Sequence, residues 1–164
     1  MMARYQALAQ RIRAEMEDLE RTQAIIQRHW HSARSASGDP DAYLNSVALN
    51  LHSWYSGLER VFELIALELD GGTLGGEAWH TELLRQMALD LPNVRPPVIQ
   101  RETAMHLDEY RKFRHRIRNI YATSLDPDRM QSLIEALPTL WASVREEIAA
   151  FSEFLDSLAG TDKE

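Results

Sequence analysis

A chain of 164 residues with 45% hydrophobic content can bury one sizeable core, so a single domain is the expectation. Its formal net charge of -7 argues against a protein that coats nucleic acid with its whole surface, and the lack of cysteine excludes disulfides and thiolate metal sites. No apolar run approaches the roughly 18 residues that a membrane span needs, and the N-terminal segment mixes charge through its apolar positions, which suggests a cytoplasmic protein.

Residues 3 to 34 repeat apolar side chains at three and four spacing (Tyr5, Leu8, Ile12, Met16, Leu19, Ala24, Ile25) between Arg and Glu, the pattern of a long amphipathic helix. It should end near "SARSASGDPD". There Gly38 suits a terminus, Asp39 can accept from the free amides of a new helix, and Pro40 has the φ of a first helical turn. The second helix then runs from about 40 to 70 and is broken by "DGGTLGG". Gly57, inside it, would let another helix approach closely.

A short helix is predicted in "EAWHTELLRQMAL", followed by a rigid extended connection through the prolines of "DLPNVRPPVI". The fourth helix should cover about 98 to 122. "SLDPD" repeats the Asp-Pro-Asp start signal and launches a last helix over about 127 to 158, with a kink or restart at Pro138. No period-2 strand pattern occurs. Helices that each carry one apolar stripe must bury the stripes on one another, so the fold class is an all-α, antiparallel up-and-down bundle of four long helices and one short one. Residues 1 to 160 form its single domain, with 161 to 164 as a frayed tail.

The fourth helix concentrates Arg111, Lys112, Arg114, His115, Arg116 and Arg118 on one short segment of an acidic chain. At about 100° per residue, Tyr110, Phe113, Ile117, Ile120 and Tyr121 share an arc facing the core. Arg111, Arg114, His115, Arg118 and Asn119 share the opposite, polar arc. Like charges one turn apart repel by about a few tenths of a kcal/mol each, so something acidic should compensate. Glu59 and Glu63, at i, i+4 near the apolar stripes of the second helix, are plausible counter-charges. The alternatives are a simply solvated face, a phosphate-bearing ligand or an acidic partner surface, the last two because a guanidinium fork binds either through two parallel hydrogen bonds.

Other constellations are weaker. Glu77 and His80 have the i, i+3 spacing of di-iron bundles, but no second Glu-x-x-His follows. His29, His31, His52, His80, His106 and His115 lack the paired local spacing of a metal site, so no metal is expected. No Ser-His-Asp order, nucleophile elbow or phosphate-cradling loop is present.

At the basic helix the chain resembles the HEPN superfamily, and within it the HepT-like ribonuclease toxins of toxin-antitoxin pairs. Their signature is an Arg, four residues, a His, one residue and a Tyr on a late helix. Here "RHRIRNIY" supplies Arg114 and Tyr121, with Asn119 where the family has histidine. "LHSWYSGLERVFELIALELDGG", "WHTELLRQM", "RPPVI" and "YRKFRHRIRNIYATSLDPDRM" extend the likeness over about 43 to 155.

The resemblance implies a homodimer whose shared cleft cuts RNA without metal or other cofactor, by attack of the ribose 2′-hydroxyl on the adjacent phosphate. It also implies a nucleotidyltransferase antitoxin as partner. Carried over, Arg114 would stabilise the phosphorane, with Arg111 and Arg118 holding RNA phosphate. His115 would be a supporting proton carrier, and Tyr121 the tyrosine that some antitoxins modify with AMP. Asn119 can orient a phosphate or hydroxyl but cannot carry a proton near neutral pH. The alternative implied is therefore a catalytically impaired HEPN protein that works as a binding or regulatory partner of a nucleotidyltransferase.

Overall fold

Two Asp-Pro-Asp segments start helices in the same way. Asp39 has extended φ/ψ of -99° and 100°, and its carboxylate accepts from the Asp41 amide at 3.1 Å, with Pro40 as the first helical residue. Asp126 accepts from the Asp128 amide at 3.0 Å ahead of Pro127. The computed structural model describes residues 2–35, 38–72, 75–117 and 125–161. Over them lie α1 (Met2–Arg34), α2 (Pro40–Leu69), α3 (Trp79–Met87), α4 (Arg101–Ile117) and α5 (Pro127–Thr161). No named strand occurs among the described residues.

Side-chain pairs give the directions. Arg4 bonds Glu68 and Arg60 pairs with Glu15, so α1 and α2 are antiparallel. Arg13 reaches Asp156 while Gln27 reaches the Ile134 carbonyl, so α1 and α5 are antiparallel too. Thr103 bonds Glu147 and Tyr110 bonds the Leu133 carbonyl, which sets α4 against α5. The expected all-α up-and-down bundle is what forms. Its centre is apolar and aromatic: Ile12, Ile26, Leu51, Trp54, Tyr55, Leu58, Phe62 and Leu107 are essentially inaccessible. Gly57 does what its place in the sequence suggests, because a Cβ there would stand 2.8 Å from Leu19 Cδ2 of α1.

α5 runs unbroken through Pro138. A proline there has no N–H for the Ile134 carbonyl, and Gln27 Nε2 donates to that oxygen at 3.1 Å instead. The lost helical bond is replaced from α1, and the helix needs no restart.

The proline-rich connection is not extended. Leu91 and Arg95 exchange two backbone hydrogen bonds, each of 3.0 Å, around Asn93, whose φ is 66°. Val98 N then donates to Met87 O at 2.8 Å, which holds buried Val98 and Ile99 outside the helix, so α4 starts at Arg101 rather than near 98. What makes the turn is Arg95. Its side chain is wholly buried against Asp70, the residue that caps α2.

Candidate functional site

α4 presents Tyr110 and Phe113 to the core, as its periodicity predicts. Arg114 departs from the expected polar arc: it is buried, at 6% exposure. One turn on from buried Tyr110 and about 40° from it on the wheel, it lies at the seam of the apolar stripe, and α2 offers a carboxylate there. Nη1 of Arg114 donates to Glu59 Oε1 at 2.8 Å and Nη2 to Oε2 at 3.3 Å, a two-pronged pair inside the protein. The counter-charge foreseen for the basic helix is therefore Glu59. Glu63, one turn on, is half-buried; burial, and then the negative charge of Glu59, push its carboxyl above the usual range.

A third group completes the cluster. His80, at the start of α3, places Nδ1 2.8 Å from Glu59 Oε2 and 2.8 Å from Arg114 Nη2. One ring nitrogen cannot serve both partners. If it carries a proton it donates to Glu59; if it does not, it accepts from Arg114. The imidazole is stacked on Trp79, ring centres 3.6 Å apart and planes 30° from parallel. Below the guanidinium, Arg114 Cζ stands 5.1 Å from the centre of the Tyr55 ring. Burial, and then Glu59, push the Tyr55 hydroxyl upward. Among the described residues, buried Tyr55 Oη and Arg114 Nε make no hydrogen bond.

The remaining candidates are dispersed. Arg111 is half-buried and donates from Nε to Asp108 at 2.6 Å. Burial raises the Asp108 carboxyl, but the hydrogen bond and charge of Arg111, with Lys112, outweigh it and hold the group below its usual range. Arg111 is thus engaged with its own helix rather than displayed. His115 and Arg116 are exposed on the last turn of α4. Arg118, Asn119 and Tyr121 lie outside the described residues. A cavity of about 790 Å³ between α4 and α5, lined by His106, Tyr110, Phe113 and Arg116 among others, does not include Arg114, Glu59 or His80.

His80 was legible as half of a Glu-x-x-His pair with Glu77 and as one of six histidines without metal-site spacing, not as a partner of Arg114. Its contact with Arg114 joins positions 34 residues apart, which no local spacing encodes. Among the described residues no group of three or more His, Cys, Asp or Glu is placed to hold a metal ion, and no helix is long and apolar enough to cross a membrane.

Five helices packed as an all-α up-and-down bundle, with Arg114 near the described end of α4 paired to Glu59 of α2, define the class of the fold. The chain belongs to the HepT-like protein family, whose model matches residues 46–155, from α2 to near the end of α5. No curated protein and no solved structure matches the chain.

Proposed function

We propose that this chain is the toxin of a HepT-like toxin-antitoxin pair: a metal-independent endoribonuclease that acts in the cytoplasm as a homodimer and is neutralised by a nucleotidyltransferase antitoxin. The observation that carries the reading is the convergence of Arg114, Glu59 and His80 within 3.3 Å of one another at the place of the family's motif arginine. Guanidinium, carboxylate and imidazole are the groups that attack by a ribose 2′-hydroxyl needs: a fixed positive charge for the developing phosphorane and a proton carrier of suitable range. Arg118 and exposed Arg116 and His115 extend positive charge from this point along the chain and supply phosphate contacts. Arg111, tied to Asp108, contributes charge more than contact.

Family membership supports the toxin assignment, and the antitoxin and dimer follow from the same resemblance. Burial of Arg114 changes how that residue works. It acts on RNA through the field it projects and through Glu59 and His80, not as an open fork. The same burial favours a second reading, in which the ion pair is structural and the protein, with Asn119 at the motif histidine, binds a nucleotidyltransferase without cutting RNA.

Cleavage of a labelled, partly single-stranded RNA in EDTA by the parent protein, Arg114→Ala and Asn119→His separates the two. Cleavage by the parent, lost with Arg114→Ala, is the expected result. An inactive parent that gains activity with Asn119→His would establish the binding role instead.

A further inference from the structure

Arg114 and Glu59 have side chains only 7% and 6% exposed, whereas that of His80 is 26% exposed. Of the three groups in contact, the imidazole is the one that reaches solvent. Its Nδ1 is turned inward to Glu59 and Arg114, so Nε2, on the far side of the ring, is the nitrogen available to a substrate. Trp79 holds the plane of the ring by stacking on it. A histidine with one nitrogen on a buried carboxylate and the other turned outward is oriented for proton transfer, the carboxylate selecting the tautomer and stabilising the imidazolium.

We infer that His80 is the proton-transfer residue of this protein, with Glu59 as its positioning residue, and that this pair takes the place of the motif histidine that Asn119 lacks. The inference rests on the ribonuclease reading above and deepens it. With Nδ1–H donated to Glu59, Nε2 holds a lone pair and removes the proton from a ribose 2′-hydroxyl. The freed O2′ bonds to the adjacent phosphorus. The P–O5′ bond breaks, and the leaving oxygen takes a proton, from the imidazolium or from water, to become a 5′-hydroxyl. The products are a 2′,3′-cyclic phosphate and a 5′-hydroxyl end, with no oxidant, reductant or co-reactant needed. Arg114 lies on the Nδ1 side of the ring, 2.8 Å from that nitrogen, and adds positive charge close to the reacting phosphate.

The second contact of Nδ1, with Arg114, defines the resting alternative, in which the neutral ring accepts from Nη2 and carries its proton on Nε2. Exchange between the two arrangements requires only a proton shift on one ring. The charged groups that face it are Glu59 and Glu63 from α2 and Arg114 from α4.

The test measures cleavage of the same labelled RNA in EDTA, across pH, by the parent, His80→Ala, His80→Asn, Glu59→Gln and His115→Ala, with circular dichroism as the check on folding. His80→Asn retains an amide that can bond Glu59 or Arg114 but cannot carry a proton, so it answers the question even if His80→Ala fails to fold. The expected result is a loss of roughly 10²- to 10⁴-fold in both His80 variants. Added imidazole should restore cleavage to His80→Ala and leave the parent unchanged. Glu59→Gln should lower kcat while leaving KM near the parent's, because the ring loses the carboxylate that orients it and not a contact with substrate.

Parental cleavage by a folded His80→Asn overturns the inference while the ribonuclease reading stands. Absence of cleavage by the parent overturns the reading and the inference with it.

Discussion

Arg95 and Arg114 are both buried arginines paired with a carboxylate at or near α2, and they do opposite things with the same side chain. Arg95 uses every N–H. Nε and Nη2 each bond Asp70 at 2.7 Å, while Nη1 bonds the Leu89 and Pro96 carbonyls and Nη2 the Gln86 carbonyl, all at 3.1 Å. Asp70 takes a further bond from Gln86 Nε2 at 2.6 Å. Nothing in that knot is left for a ligand, and its role is to tie the end of α2 to the turn before α4.

Arg114 is held less completely. Its Nε–H has no acceptor among the described residues, and its Nη2 competes with Glu59 for one nitrogen of His80. A guanidinium whose bonds are all made stabilises a fold; one whose bonds conflict stores alternatives that protonation can select.

The comparison can be broken most sharply by removing each arginine. Arg95→Ala strands a buried Asp70 and three carbonyls and should cost about 3–5 kcal/mol, read as a lower urea midpoint. Arg114→Ala should cost less, because Glu59 retains His80 as partner, and its effect on RNA cleavage should exceed its effect on stability. If the two variants lose equal stability and Arg114→Ala keeps full cleavage, the distinction between knot and site is gone.

A double replacement sharpens it further. Arg114→Met with Glu59→Leu removes both buried charges and should recover most of the stability lost by Arg114→Ala. Recovery of stability without recovery of cleavage is the expected outcome.

The smallest effect concerns Glu63, which the Arg95 knot has no counterpart for. Its carboxyl titrates higher when folded than unfolded, so its charged form is a penalty on the native state at neutral pH. That penalty is relieved as pH falls through the raised value. Glu63→Gln should therefore be slightly more stable than the parent near neutrality, with the gain fading in acid. Unfolding at several pH values checks it, and a gain that grows in acid would contradict the assignment.

Asp108 has the opposite sign. Held low by Arg111, its charged form supports the native state above the ordinary carboxylate range, and that support is lost as pH falls through its depressed value. Arg111→Ala should flatten this acid limb.

The bundle was legible because its signals are local. The Asp39-Pro40 and Asp126-Pro127 starts and the glycine break after Asp70 each act within a few residues and appear where expected, and the spacing of α1 gives a helix over the expected span, with Ile26 buried where Ala24 and Ile25 were expected. Expectations failed where a distant partner overrode the local rule. At Pro138 no restart occurs, since Gln27 of α1 bonds the carbonyl that the proline leaves free, and the segment around Arg95 reads as extended until Asp70 draws the arginine inside.

The candidate site divides in the same manner. Sequence alone determined that the chain is helical and that its basic residues cluster on α4, because helical periodicity and residue spacing are properties of neighbours. Tertiary structure alone decided that Arg114 is buried rather than displayed, that Glu59 is its partner, and that His80 meets both. Those contacts join α2, α3 and α4 across 21 to 55 positions, and only the packing of one helix on another brings such distant charges within hydrogen-bonding range.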